Sequence, residues 1–340
     1  RVGNGGGGGR KLGVSGHPEI IKFGLDKFND ACRTSVLRFT DDWHRYVTHQ
    51  ARWVDFQNDY KTLDTPYMES VMWAFKTLFD KGLIYEGFRL LAYCWRCETP
   101  LSNTETRMDD VYKDRQDPAL TVMFHLETGE QMLAWTTTPW TLPSNLALAV
   151  GPDIDYAVMQ ETAADGTTQR YILAEARLGA YEKELANAER IGTLKGSDLV
   201  GRRYTPLYPF FADTPNAFHV LAADYVSTED GTGVVHMAPG FGEEDQNACN
   251  AVGIPTICPM DEHGRYTAEI PPWKGVHVFD ANPEVTRDLK ARGLVVRHDS
   301  YQHSYPHCWR CAEPLVYRAI SSWFRSEEHT SELQSLRTIS

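Results

Sequence analysis

The 340-residue chain contains no run approaching the roughly 18 consecutive apolar residues of a membrane span. It also lacks a charged-then-apolar leader ahead of a cleavage site, so a soluble, cytoplasmic protein is expected. Cations are in deficit: 34 Lys and Arg stand against 46 Asp and Glu, a formal charge of −12. Non-specific phosphate binding needs clustered Lys and Arg, which excludes a general nucleic-acid binder while leaving room for a local basic groove. A disulfide framework is also missing. Four of the seven cysteines fall in two C-x-x-C pairs, a pattern of metal chemistry in a reducing compartment. One further absence is local: from Gln131 to Pro152 there is no Asp, Glu, Lys, Arg or His.

What the chain does have is a hydrophobic content of 42%, enough for a real core, and length for two domains or one domain with a large insertion. Residues 1–9 are mostly glycine and carry no periodic pattern. Thr65-Pro66 followed by Met68, Val71, Met72, Phe75, Leu78 and Phe79, with Gly82 beyond, predicts an amphipathic helix; an earlier one is expected over Asp41 to Trp53. Gly87 to Tyr93 reads as a strand delivering Cys94 and Cys97. From Pro118 short β-rich runs take over: Thr121–Leu126, Met132–Thr136, Ala147–Val150, Tyr156–Val158, Tyr171–Ala174, Phe218–Ala222 and Gly233–Met237. Helical pieces are expected near Glu175–Ala186, Glu243–Val252 and Pro283–Arg292. A compact β-barrel-like domain with a few helices fits this order. Ser326 to Ser335 breaks off the aromatic pattern and reads like translated adapter sequence, so native sequence is expected to end near Phe324.

The charge-free stretch centres on Trp135-Thr-Thr-Thr-Pro-Trp-Thr-Leu-Pro-Ser-Asn145. Three successive β-branched residues favour extended backbone, placing Thr136 and Thr138 on one side and Thr137 on the other. Pro139 and Pro143 end any ladder, leaving a stiff bend lined with hydroxyls. Such a surface can hold a small substrate and a water but cannot by itself abstract a proton. Composition alone fits an ordinary Thr/Pro turn at least as well.

Cys94-Trp-Arg-Cys97 and Cys308-Trp-Arg-Cys311 repeat one core. Two thiolates three positions apart bind a tetrahedral Zn²⁺ from a knuckle, and two knuckles complete a four-sulfur site. Between Cys97 and Cys308 lie 210 residues, so one shared ion would fasten the two ends of an inserted domain. Four protein ligands leave no place for water, which makes such a site structural; two independent knuckles or plain thiols are the alternatives. Cys32, Cys249 and Cys258 read as core residues. Gly231-Thr-Gly-Val-Val-His-Met-Ala-Pro-Gly240 reads as a strand carrying His236, and Gly242-Glu-Glu-Asp245 opens a helix. The two could converge on one cavity, although a strand-end histidine and an acidic first turn are each commonly structural. The G-x-G pattern does not open a helix, which excludes dinucleotide binding.

Together these motifs resemble the isoleucyl branch of the class I aminoacyl-tRNA synthetases, from Lys11 to Phe324. The likeness is closest at Ala51-Arg-Trp-Val-Asp-Phe56, Asn58-Asp-Tyr-Lys-Thr62, Tyr67-Met-Glu-Ser70, Lys81-Gly-Leu-Ile-Tyr-Glu-Gly87, the first Cys pair, Trp135–Asn145 and Gly231–Asp245. The valyl and leucyl relatives carry Thr-Thr-Arg-Pro where this chain has Thr137-Thr138-Pro139-Trp140. The family's His-Ile-Gly-His and Lys-Met-Ser-Lys-Ser signatures, which bind ATP, have no counterpart here, so an internal fragment is expected.

The resemblance implies an α/β fold: part of a Rossmann-type catalytic domain interrupted by a β-barrel-like editing domain. The expected divisions are a lead-in at 1–10, catalytic segments at 11–114 and 301–324, the insertion at 115–300 and a non-native tail at 325–340. It further implies a monomeric parent that ligates isoleucine to tRNA with ATP and Mg²⁺, and an insertion that hydrolyses mischarged valyl-tRNA. Thr136, Thr137, Thr138 and Asn145 would line the editing cavity and position ester and water. His236 would set its size limit, Asp245 would hold the substrate's α-ammonium, and Trp135 would pack on the terminal adenosine. Cys94, Cys97, Cys308 and Cys311 would hold structural Zn²⁺. A non-catalytic zinc-clamped tRNA-binding module, a valyl or leucyl editing domain and a zinc-dependent hydrolase are the rival readings.

Overall fold

The computed structural model describes residues 12–14 and 17–325, so the glycine-rich lead-in at 1–10 and the tail beyond Arg325 lie outside the described residues. The chain divides into two compact units, one of residues 1–87 and 321–340, the other of residues 88–320.

In the first unit, α1 (His17–Phe23), α2 (Leu25–Leu37) and α3 (Thr40–His49) precede α4 (Thr65–Asp80). The last is the helix expected from the apolar spacing. Pro66 sits in its first turn, where a missing N–H costs nothing, and Gly82 follows it at φ 69°. The earlier helix stops short of Trp53, because the chain leaves helical space at Ala51, φ 56°. β1 (Ile84–Cys94) crosses from this unit into the second, and β12 (Val316–Arg325) crosses back.

The second unit begins with β2 (Thr99–Pro100), paired antiparallel to β1 at Tyr93↔Pro100 and Cys94↔Thr99. Then come β3 (Tyr112–His125), β4 (Gln131–Thr136), β5 (Ala147–Val150), β6 (Asp155–Thr162), β7 (Thr168–Ala174) and β8 (Ala188–Lys195). After the one-turn α5 (Gly196–Leu199) follow β9 (His219–Ala222), β10 (Val234–Met237), α6 (Glu243–Ala251), α7 (Val278–Ala291) and β11 (Val295–Pro306). Nine of these strands form one mixed, curled sheet in the order β8-β6-β7-β4-β10-β5-β9, with β3 on β4 and β11 on β3. The fold is mixed α/β.

The sheet branches at β4, and that branch positions the site. One edge of β4 pairs with β3 along its whole length. The other edge is shared: Gln131 and Met132 pair with β7, whereas Trp135 pairs with Val235 of β10, both in parallel. Such a fork needs close backbone approach, and Gly233 allows it: at φ 74°, a Cβ there would lie 2.4 Å from the Ala174 Cβ. Tyr156 closes the fork from below. Fully buried, its hydroxyl donates to the Gly233 carbonyl (2.7 Å) and accepts from the Gly151 N–H (3.0 Å). β5, a continuous apolar run, is buried at all four positions and is the centre of the core.

β3 and β11 form a two-stranded ribbon registered from Val295↔Val122 to Pro306↔Tyr112, with a bulge between Val295 and Arg297. Arg115 Nε and His303 Nε2 each lie 2.9 Å from a carboxylate oxygen of Asp117, and the Arg115 guanidinium covers the Phe279 ring at 4.2 Å. The positions expected to bound the insertion fall inside this ribbon. Pro118 and its charged neighbours hide the strand in the sequence. The ribbon accepts Pro118 because, among the described residues, β11 is β3's only partner at that level, leaving the other edge free of a ladder.

Two helical expectations are corrected. Glu175–Ala186 is not an α-helix: a 3₁₀ turn covers Glu175–Tyr181. Gly179 weakens helix there, and Arg177 is drawn away to the Gly231 and Glu229 carbonyls at 2.9 and 2.8 Å. α7 starts at Val278 rather than Pro283, which lies inside it. Removing the Tyr156 hydroxyl would orphan two buried backbone groups, so Tyr156→Phe is expected to lower unfolding free energy by about 1–3 kcal/mol, read from the urea midpoint at unchanged m-value.

Candidate functional site

In a parallel pair registered at Trp135↔Val235, the next residues on each strand, Thr136 and His236, share one face of the sheet. Both strands end immediately beyond. The chain after β4 bends at Thr137 and winds through a 3₁₀ turn, Pro139–Ser144; after β10 it turns through Pro239 and Gly240 into α6. Between these two exits lies a cavity of about 280 Å³, bordered by Trp135, Thr136, Thr137, Thr138, Thr141, Val235, His236, Ala238, Phe241, Gly242 and Asp245.

The threonine wall is internally bonded. The Thr138 N–H donates to Thr136 Oγ1 at 3.1 Å, and the Oγ1 atoms of Thr136 and Thr138 lie 3.2 Å apart. Thr141 Oγ1 stands 3.1 Å from that of Thr138 and donates to the Thr138 carbonyl at 2.8 Å. Thr137, expected on the opposite side, borders the same cavity, because the strand stops at Thr136 and the bend at Thr137 turns the chain inward. A 3₁₀ turn eclipses residues three apart, which is why Thr141 lies beside Thr138. Trp135 packs edge-on against Tyr301 at 5.4 Å.

His236 is buried between two of these elements. Its Nε2 lies 2.8 Å from Thr141 Oγ1 and its Nδ1 2.9 Å from Asn145 Nδ2. Burial pushes its pKa down to about 3, so the ring is neutral. Asn145 does not border the cavity but stands behind His236, its Oδ1 accepting from the Tyr204 hydroxyl at 2.6 Å.

Asp245 is the third residue of α6, where the helix dipole favours an anion. Its Oδ2 accepts from the Ala238 N–H at 2.9 Å and its Oδ1 from the Tyr225 hydroxyl at 3.3 Å. Burial nonetheless raises its pKa, with those two bonds pulling the other way. The helix must begin with glycine here: a Cβ on Gly242 would sit 2.7 Å from Asp245 Oδ2. A partly desolvated carboxylate facing a neutral, hydroxyl-lined cavity is a receptor for a small cation.

Of the residues singled out in the sequence, the structure thus gathers Trp135, Thr136, Thr137, Thr138, His236 and Asp245 around one cavity, with Asn145 one layer back. Sequence reasoning missed Thr141, although it lies in the charge-free stretch. It also missed Tyr204 and Tyr225, which reach the site from distant loops and carry no local signal.

Cys94, Cys97, Cys308 and Cys311 come together apart from this cavity, all four sulfurs within 4.8 Å of one another. Glu98 and Ala312, each just past a second cysteine, adopt φ 52° and 62°, so the two knuckles turn alike. A tetrahedral ion bonded to sulfur at about 2.3 Å sets sulfurs about 3.8 Å apart, and Cys94 and Cys311 lie at 3.5 Å. Burial pushes the Cys97 thiol up to about 12, and the charge of Cys308 pushes the same way, a cost that a divalent cation removes. The donor set fits such an ion.

The family model for class I tRNA synthetases (I, L, M and V) matches residues 9–338, and the chain belongs to that family. It is similar to the isoleucine–tRNA ligases of Mycobacterium tuberculosis (55% identical, 93% of this chain, 32% of the relative) and Nocardia farcinica (55%, 93% and 31%). That of Rickettsia canadensis is 51% identical over 93% of the chain. The chain spans about a third of the length of these curated relatives. Among solved structures, the P. knowlesi cytosolic leucyl-tRNA synthetase editing domain aligns at TM-score 0.41 and 11% identity, covering 56% of this chain and 97% of that one.

The His236 pKa sets a pH prediction. A folded value near 3 against about 6.5 unfolded means its contribution is intact above pH 6.5 and falls as pH drops toward 3, by about 1.4 kcal/mol per unit. Asp245, raised, has the opposite sign. Comparing urea midpoints at pH 7 and 5, wild type should lose about 2 kcal/mol more stability than His236→Gln.

Proposed function

We propose that this chain is a segment of an isoleucine–tRNA ligase, whose parent charges tRNA with isoleucine using ATP and Mg²⁺, and that its cavity clears valyl-tRNA by ester hydrolysis. The observation that carries the reading is that the Asp245 carboxylate, the threonine wall and a neutral His236 face one small cavity. Isoleucine exceeds valine by one methylene, worth about 1–3 kcal/mol in an apolar pocket, a general limit for which isoleucyl-tRNA synthetases are themselves the usual illustration. A second, smaller chamber that admits valine and excludes isoleucine supplies the missing accuracy.

In this reading Asp245 pairs with the α-ammonium, Thr137 and Thr138 hold the ester and the water, His236 limits side-chain size, and Trp135 meets the terminal adenosine. His236 is too poorly basic to take a proton, so hydrolysis proceeds by positioning, with Asp245 as the competing base. The inserted domain occupies roughly residues 115–300 between Rossmann-type segments. The four cysteines hold a structural Zn²⁺; four sulfurs leave no open position for a catalytic water, which disfavours a zinc hydrolase.

Valyl-tRNA(Ile) is expected to be deacylated by the chain and isoleucyl-tRNA(Ile) spared. Losing a charge-assisted bond of about 1.5–3 kcal/mol, Asp245→Ala should lower kcat/KM about ten- to hundredfold. Asp245→Asn should act mainly on KM if Asp245 holds the ammonium and mainly on kcat if it is the base. Thr138→Ala at the original rate would remove the site assignment. Chelation should unfold residues 88–320 along with loss of activity, seen by circular dichroism; lost turnover with intact structure would indicate a catalytic ion.

A further inference from the structure

The hydrogen-bond chain behind the cavity has a direction that follows from which atoms carry protons. The Ala147 carbonyl can only accept, and it lies 2.8 Å from Asn145, so the amide nitrogen Nδ2 must face it. Oδ1 is then the atom that accepts from Tyr204. Nδ2 has a second proton, directed at His236 Nδ1, which must therefore be bare. A neutral imidazole with a bare Nδ1 carries its proton on Nε2, and that proton goes to Thr141 Oγ1. Thr141 gives its own proton to the Thr138 carbonyl. At the contact between the two hydroxyls Thr138 is consequently the donor. By the same count Thr136 donates to Thr138.

We propose that Asn145, anchored by Tyr204, is a positioning residue that fixes His236 as its Nε2-protonated tautomer and thereby orients every hydroxyl from Thr141 to Thr136. Thr138 then meets the cavity with a lone pair. The wall accepts hydrogen bonds and selects a ligand that donates them: an ammonium, or a water whose own lone pair stays free to attack. The identity of that ligand rests on the editing reading above, whereas the proton chain does not. His236 does not act as base or acid in this arrangement; it transmits the orientation of a backbone carbonyl to a substrate-facing hydroxyl.

The test is a long-range proton–nitrogen correlation spectrum of the ¹⁵N-histidine-labelled chain, with His236 assigned by its loss in His236→Gln. The expected pattern is protonated Nε2 and bare Nδ1, unchanged between about pH 8 and about pH 5. A proton on Nδ1 overturns the proposal, whatever the activity. Asn145→Asp is near-isosteric but can only accept, so the proton should move to Nδ1; a tautomer that does not move overturns the role of Asn145. With valyl-tRNA(Ile), Asn145→Asp should lower kcat more than KM, and Tyr204→Phe should lower it by about two- to tenfold, as for one lost hydrogen bond. A moved tautomer with full activity also overturns it. The expected tautomer in a chain that deacylates nothing would instead sink the editing reading and leave the proton chain standing. If the variants do not fold, the wild-type spectrum decides.

Discussion

The parallel pairing of β4 with β10 is the constraint on which the site depends. One register, Trp135 opposite Val235, puts Thr136 and His236 side by side where both strands end. A one-residue slip would send one of them to the other face. The register is held by Gly233, which permits close approach, and by Tyr156, whose hydroxyl ties the Gly233 and Gly151 backbones together. A single buried tyrosine at the fork thus supports a cavity that it does not border.

The chemistry of the cavity follows from its being nearly dry and nearly uncharged. Burial drives His236 to its neutral form and raises Asp245, leaving a carboxylate whose ionised state is costly until a cation arrives. Ala238 and Tyr225 aim that carboxylate, and the absence of a side chain on Gly242 leaves room for it. The hydroxyls opposite are already committed to one another. A cavity organised in this way pays for orientation during folding, which is the condition for hydrolysis by positioning rather than by a strong base.

Much of this is legible in the sequence, for identifiable reasons. Ala147–Val150 matches β5 residue for residue because a strand buried on both faces is an unbroken apolar run. The Cys-Trp-Arg-Cys repeat announces the four-sulfur cluster, since its chemistry is carried by the motif itself. The convergence of Thr136–Thr138 with His236 and Asp245 is an expectation from motifs, and the geometry brings those residues to one cavity. What the sequence hides is non-local. The β3–β11 ribbon is obscured by Pro118 and by charges that pair only across strands, as Asp117 does with His303. Thr137 is assigned to the wrong side by strand alternation because the end of β4 is not visible in three identical residues. Tyr204 and Tyr225 matter through contacts 59 and 20 residues away, and no spacing rule reaches them.

The central claim is that one chamber receives a small aminoacyl ester of adenosine, ammonium toward Asp245. Titrating the ¹⁵N-labelled chain with a non-hydrolysable 3′-valylamino-adenosine, followed by amide shifts, tests it most directly. The account predicts perturbation concentrated at Thr137, Thr138, Ala238 and Asp245, with weaker binding of the isoleucyl analogue. Shifts confined to other surfaces, or equal affinity for both analogues, would contradict it.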